Sequence, residues 1–268
     1  MKKDIEKITK WLKDYSNDVG SKGYVIGLSG GVDSTAACGL AVDAVGKENV
    51  LGIMLPFSTD NWLRSPSGDD LKDGIRVAEH YGIKYYVYPI SYGEIIIPNM
   101  KQLFDNDFHN LYHNKIKNND LCKGNIQARL RMIALRMFAE AMNYLVLGTT
   151  NKSEDMLGYF KKGGDGGSGV DVEPMSDFYK SEIIKMVEYY GLPEDLVNRT
   201  PSAGLWKGQT DEGELGFTYV DFEKYWKWKE NKDGDCPVSD EISKEIERRY
   251  KITEHKRSVP SKYNRHDI

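Results

Sequence analysis

A chain of 268 residues, 40% of them hydrophobic, is long enough to bury the core of one α/β domain, and 1–268 reads as a single domain without a linker. A formal net charge of −4 argues against a broad nucleic-acid surface, and no apolar run is long enough to span a bilayer, so neither nucleic acid nor membrane is expected as a partner. Cys38, Cys122 and Cys236 are scattered, odd in number and form no C-x-x-C pair, and the N-terminus is charged, which predicts reduced thiols in a cytoplasmic protein.

Ile5, Ile8, Leu12 and Tyr15 recur at helical spacing, and Gly20 ends that helix. The apolar run 24–28 predicts a buried strand. The helix that begins at about Thr35 closes near Gly46. Residues 50–55 form a second strand, ended by Pro56. A helix runs from about Asp69 to His80, followed by a third strand at 84–88. Residues 104–120, rich in Asn and Asp, read as a surface excursion. A long helix spans about Gly124 to Asn143 and leads into a fourth strand at 144–148. Helices return at about Phe178–Tyr190 and Ser239–Tyr250. Strands separated by helices predict right-handed βαβ units and a Rossmann-like α/β fold, a parallel sheet flanked by helices. Ligands of such sheets bind beyond the carboxyl ends of strands, where residues 29–34 and Thr149 fall.

Ser29-Gly30-Gly31-Val32-Asp33-Ser34 is the tight turn between the first strand and its helix. Two adjacent glycines let the backbone approach a ligand and turn N–H groups inward. The flanking hydroxyls and the helix N-terminus complete a cradle for phosphate or pyrophosphate. A carboxylate beside phosphate is unfavourable unless a cation lies between them, so Asp33 points to a magnesium-bound polyphosphate. The plainer alternative is a glycine turn in which Asp33 and Ser34 merely cap the helix. The turn lacks the lysine of a Walker loop and does not match G-x-G-x-x-G.

Three further blocks carry weight. In 124–132, Arg129 and Arg131 sit two apart on a helix, so at most one faces a given site. After the fourth strand, Glu154 is either a capping-box acid for a helix begun near Asn151 or a second carboxylate for the metal. Lys, Asp and five glycines at 158–167 favour a ligand loop over a linker. The basic cluster at 253–257 is, by itself, ordinary solvated surface.

Together these blocks resemble the ammonia-dependent NAD synthetase family within the N-type ATP pyrophosphatases, whose pyrophosphate loop is S-G-G-x-D-S. The likeness takes in S-G-G-V-D-S at 29–34, G-N-I-Q-A-R-L-R-M at 124–132 and G-T-T-N-K-S-E at 148–154. It continues through G-D-G-G at 164–167, Tyr179-Lys180, the segment at 211–216 and T-E-H-K-R at 253–257. The resemblance implies that Ser29, Gly30, Gly31, Val32, Asp33 and Ser34 hold the phosphates of ATP. It implies that Asp33 and Glu154 bind Mg²⁺, and that Thr149, Lys180 and Ser202 contact ATP. Asp33, Glu154 and Lys180 would form the catalytic group. Arg129, Lys162, Asp171, His255 and Lys256 would contact deamido-NAD. The reaction implied is amidation of deamido-NAD with free ammonia through an adenylated intermediate, by a homodimer with the dinucleotide at its interface. No amidotransferase domain is expected before residue 24.

Ser202 stands where the family usually has Thr, Lys161 and Gly163 replace Thr and Tyr, and Ser168-Gly169 resembles a two-residue insertion. A tRNA-thiolating enzyme would call for paired cysteines and a basic surface, which the chain lacks; a GMP synthetase core is the other adenylating alternative. A non-catalytic nucleotide-binding module would be expected to have lost Asp33, Glu154 or Lys180, and all three are present. His109 and His113 lie four apart near acids but lack the H-E-x-x-H pattern. Trp226-Lys227-Trp228 has no basic field around it and reads as helix packing.

Overall fold

The computed structural model describes residues 1–57, 68–90, 120–199, 202, 209–259 and 262–263. Among them four parallel strands form one sheet: β1 Tyr24–Gly27, β2 Val50–Met54, β3 Lys84–Val87 and β4 Leu145–Val146, in the order β3-β2-β1-β4. Tyr24 pairs with Val50 on one side and with Leu145 on the other. Chain order therefore reverses at β1, and the crevice beyond the ends of β1 and β4 is the switch point of the sheet. The strand expected at 144–148 is shorter because the chain leaves β4 to meet Val172: Leu147 bridges Val172, and the Gly148 N–H donates to the Val172 carbonyl at 2.8 Å.

The described helices are α1 Lys2–Asp18, α2 Val32–Val45, α3 Gly68–Tyr81, α4 Asp120–Met142, α5 Lys152–Leu157 and α6 Lys180–Tyr189. They continue as α7 Glu194–Val197, α8 Asp211–Leu215, α9 Tyr219–Asn231, α10 Asp240–Ile252 and α11 Glu254–Arg257. None is long and apolar enough to cross a membrane. Side chains alternate across each strand. Tyr24 and Ile26 face α1, α2 and α6, while Val25, Leu51 and Ile53 face α4. Cover on both faces is why β1 and β2 read as unbroken apolar runs. Helix α2 is buried nearly all round, as a helix wedged between sheet and outer helices must be.

A third cluster lies away from the sheet, where α5, α9 and α10 pack through Leu157, Phe222, Trp226 and Ile246. Trp226 is buried there with its ring 4.7 Å from that of Tyr250, which settles the aromatic-lysine stretch as packing. Of the expected surface excursion at 104–120, Asp120 opens α4 and the rest, with His109 and His113, lies outside the described residues.

Candidate active site

The phosphate loop closes on its own hydroxyls. The Ser29 Oγ accepts from the Gly31 N–H at 3.2 Å and lies 3.1 Å from the Ser34 Oγ, which donates to the Gly31 carbonyl at 3.0 Å. Helix α2 starts at Val32 with Gly31 as its N-cap, and no side chain caps it. Its first N–H groups have no intrahelical partner and are left for a ligand, with the positive end of the helix dipole behind them. Neither Asp33 nor Ser34 caps the helix: the Asp33 carboxylate turns away from the helix end, accepting from the Asn151 amide at 2.7 Å and from the Lys180 ammonium.

Gly30 is required by contact as well as conformation. Its φ is +75°, and an added Cβ would collide with the Asp73 Cβ and lie 3.0 Å from the Gly74 nitrogen on α3. Gly30→Ala is expected to cost more than the roughly 1–2 kcal/mol of left-handed backbone alone, because α3 must also move. Urea unfolding measures the stability loss and a nucleotide titration the loss of the cradle; a variant matching the wild type in both would show that the loop tolerates a side chain.

Opposite the loop stands a group of half-buried and buried acids around one buried lysine. Asn151 caps α5 and forms a capping box with Glu154: the Glu154 N–H donates to Asn151 Oδ1 at 3.0 Å, and Glu154 Oε2 accepts from the Asn151 N–H at 3.3 Å. The other carboxylate oxygen, Oε1, accepts from Lys180 Nζ at 3.1 Å. Both roles open for Glu154 in the sequence are compatible, since one oxygen serves the helix and the other faces the site. Lys180, at the first turn of α6, is 4% exposed and bridges Asp33 and Glu154. Its backbone N–H donates to the Ser153 Oγ at 3.1 Å, while Ser181 donates through N–H and Oγ to Glu223. Lys180 Nζ also lies 5.4 Å from the centre of the Tyr219 ring.

Burial, and then the charge of Asp33, pushes the Glu154 carboxyl up to about 8, with Lys180 opposing. Burial works against the Lys180 ammonium, but Asp33 and Glu154 outweigh it and hold the lysine charged. Asp211, at the start of α8, is also raised by burial; it accepts from the Tyr219 hydroxyl at 3.1 Å on Oδ2, while its buried Oδ1 has no hydrogen-bond partner. Two acids thus share one ammonium in front of an anion cradle, with Asp211 near enough to feel its charge. Their donors are all oxygen, the kind Mg²⁺ takes, and the orphaned Oδ1 marks unmet acceptor capacity, so the residues fit such a cation. Among the described residues no three acids, histidines or cysteines converge tightly enough to hold a metal alone. Mg²⁺ characteristically uses one or two carboxylates with substrate phosphates and water.

The ATP-side candidates come together. Ser29, Gly31, Val32, Asp33, Ser34, Thr149, Glu154, Lys180 and Ser202 line one cleft, and Gly30 is buried beneath it. Ser202 donates to the Gln209 carbonyl at 2.7 Å. The dinucleotide-side candidates do not line this cleft. Arg129 and Arg131 point apart as their spacing demands, yet Arg131 is the one that reaches the cleft, its Nε donating to the Leu55 carbonyl at 3.1 Å. Arg129 lies beside Ile133 and Met137 in a separate shallow concavity. Asp171 is held by Arg136 at 2.6 and 2.7 Å and accepts from the Val146 N–H at 2.7 Å. Arg136 also donates to the Gly169 carbonyl, which anchors the 3₁₀ turn at Gly167–Gly169.

The basic C-terminal cluster does not line the cleft, and its lysine and arginine are tied down while His255 stays exposed. Lys162 donates to the carbonyls of His255 and Ser258, at 2.7 and 3.1 Å, and Lys256 donates to those of Gly158 and Phe160, at 2.7 and 2.9 Å. Arg257 donates to the carbonyls of Asp155 and Met156 at the C-terminal end of α5. His255 lies on α11, its ring nitrogen 3.1 Å from the Ile252 carbonyl. The cluster caps α5 and locks two segments together. Lys256→Met should therefore cost ~1.5–3 kcal/mol locally, the worth of charge-assisted hydrogen bonds to carbonyls. Amide exchange reads this out as faster exchange at 253–258; unchanged protection would make the cross-tie incidental.

Sequence reasoning missed Asn151, Asp211, Arg131 and Arg199 as cleft or cluster residues. For Asn151 the signal was present, since an N-cap three residues past the expected strand end at 148 lies beside the crevice. Asp211 sits 31 residues beyond Lys180, and nothing local to it signals proximity.

A parallel sheet with an uncapped phosphate cradle at its switch point, faced by acids and a buried lysine, defines a nucleotide-binding α/β enzyme. The sequence profile of the NAD synthase family matches residues 4–260, and the chain belongs to that family. It is thus a ligase of the class that joins carbon to nitrogen. The NH(3)-dependent NAD(+) synthetase of Thermococcus kodakarensis is 39% identical over 264 residues, covering 96% of this chain and 94% of that protein. Among solved structures, the NMN synthetase of Francisella tularensis aligns with a TM-score of 0.81 at 32% identity, over 98% of both chains. The NH3-dependent NAD synthetase of Campylobacter jejuni aligns with a TM-score of 0.72 at 26% identity, over 98% of this chain and 99% of that one.

Proposed function

We propose that this chain catalyses the ATP-dependent amidation of deamido-NAD with ammonia, giving NAD, AMP and pyrophosphate, in the cytoplasm and as one domain. The observation that carries this reading is the phosphate cradle facing Asp33, Lys180 and Glu154. In the first step a nicotinate carboxylate oxygen attacks the α-phosphorus of ATP, and pyrophosphate leaves with the electron pair of the broken P–O bond. In the second, ammonia attacks the acyl carbon, loses a proton, and AMP leaves. A carboxylate is a poor electrophile, and adenylation supplies the leaving group it lacks. No protein nucleophile is needed.

The residues then have distinct work. The N–H groups of 32–34 bind phosphate oxygens, with Ser29 and Ser34 holding the loop closed. Lys180 offers its ammonium to charge developing on the oxygens around the attacked α-phosphorus, and Thr149 and Ser202 orient the nucleotide. Asp33 and Glu154 would hold Mg²⁺, which when bound neutralises the polyphosphate as a Lewis acid. Exposed Ile133 and Met137 beside Arg129 support a homodimer with the dinucleotide contacted across the α4 face. Sedimentation mass tests that assembly: two chains are expected, and a monomer at micromolar concentration would contradict it.

The functional test is product identity, with purified protein, ATP, Mg²⁺ and deamido-NAD supplied with ammonium or with glutamine. Equal amounts of NAD, AMP and pyrophosphate are expected with ammonium alone. A second reading is favoured by the close superposition on the Francisella protein: the acceptor is nicotinate mononucleotide, and the product NMN. The same assay with the mononucleotide separates the two by kcat/KM.

A further inference from the structure

We propose that Arg199 is a ligand for the ATP polyphosphate, parked on Asp70 and Asp73 until the nucleotide arrives. The inference rests on the proposed use of ATP and adds a residue that the family likeness does not assign. Arg199 donates through Nη2 to Asp70 and through Nη1 to Asp73 Oδ2 at 3.2 Å. Both aspartates sit on α3, three residues apart and hence on one face. Arg199 and Asp70 line the same cleft as the phosphate loop, and Asp73 is the residue against which Gly30 packs. The guanidinium is therefore held next to the cradle.

Joining α3 to α7 does not require Arg199. Arg76 already makes that tie, donating to both carboxylate oxygens of Asp195 at 2.7 and 3.0 Å and to Asp73 at 3.0 Å. The residues lining the cleft include three cations, Arg131, Lys180 and Arg199, against five carboxylates. A polyphosphate entering such a wall needs cations released from their acids. A guanidinium can exchange a carboxylate for a phosphate with little change of geometry, because its planar fork fits both. Exchange also explains why two acids lie so near an anion site: they hold the arginine in place when the phosphates are absent, and they weaken nucleotide binding by competing for it.

Competition gives the test opposite signs. Mg-ATP, pyrophosphate and AMP are titrated calorimetrically into the full-length protein and into Arg199→Gln and Asp70→Asn, with unfolding midpoints as the folding control. Arg199→Gln is expected to weaken ATP and pyrophosphate about tenfold to a hundredfold, the loss of a charged hydrogen-bonded contact, and to leave AMP within about twofold. Asp70→Asn is expected to tighten ATP and pyrophosphate severalfold. If Arg199→Gln spares ATP or weakens AMP equally, or if Asp70→Asn fails to tighten either ligand, Arg199 is a structural tie and the assignment is wrong. A wild-type protein that binds neither ATP nor pyrophosphate would overturn the nucleotide reading itself, and this assignment with it.

Discussion

Lys180→Met should be among the most destabilising single changes in the described part of the chain, costing about 3–5 kcal/mol, the range for removing one partner of a buried ion pair. The methionine fills the space of the lysine stem but leaves Asp33 and Glu154 facing each other without a cation. Two such carboxylates cannot both ionise cheaply, so Glu154, already raised by burial and by Asp33, rises further. A carboxyl raised in the folded state contributes stability at low pH that is lost as pH climbs through its folded value. Wild-type Glu154 ionises near pH 8 with the ammonium beside it and the variant's ionises later, so the gap between variant and wild type should stay level below about pH 8 and widen above it, as read by chemical denaturation at about pH 7 and about pH 9.5. Adding Glu154→Gln to Lys180→Met should restore part of the stability and none of the activity. A gap below about 1 kcal/mol at both pH values would show that the ammonium is not the hub of this cluster.

Asp33→Asn and Glu154→Gln are each expected to lower adenylation by on the order of a thousandfold, as loss of a preorganised charge does in active sites, while the fold survives. Asparagine at 33 keeps the shape and can still accept from Asn151. Glutamine at 154 can still serve the capping box of α5. What the amides lose is charge, and with it the hold on Mg²⁺. Pyrophosphate release at saturating Mg²⁺ reports the effect, and circular dichroism the fold. Near-normal release in either variant would remove that acid from the metal site.

The sheet and the nucleotide side of the cleft were legible because their signals are local. An apolar run, two glycines and a helix are contiguous from 24 to 45, so strand, cradle and uncapped N-terminus follow from one another. The match of β1 and β2 to unbroken apolar runs likewise follows from burial on both faces. What stayed hidden depends on contacts distant in sequence. Asp33 meets Lys180 across 147 positions, and Arg199 meets Asp70 across 129. The basic cluster at 253–257 shows the limit in another way: composition offers solvated surface, family likeness offers substrate, and the structure adds a third role, caps on the carbonyls of α5 and of Gly158 and Phe160. Arg129 and Arg131 were rightly separated by helical geometry, but only the packing of α4 against the sheet decides which one enters the cleft.

The most direct measurement of the proposed chemistry follows an oxygen atom. Deamido-NAD labelled with ¹⁸O in its nicotinate carboxylate is turned over with ATP, Mg²⁺ and ammonium, and the products are weighed by mass spectrometry. If the carboxylate attacks the α-phosphorus, one labelled oxygen leaves with the phosphate when ammonia displaces it. AMP should then carry a single ¹⁸O and pyrophosphate none. Label in pyrophosphate or in inorganic phosphate, or NAD formed with unlabelled AMP, would contradict an adenylated intermediate.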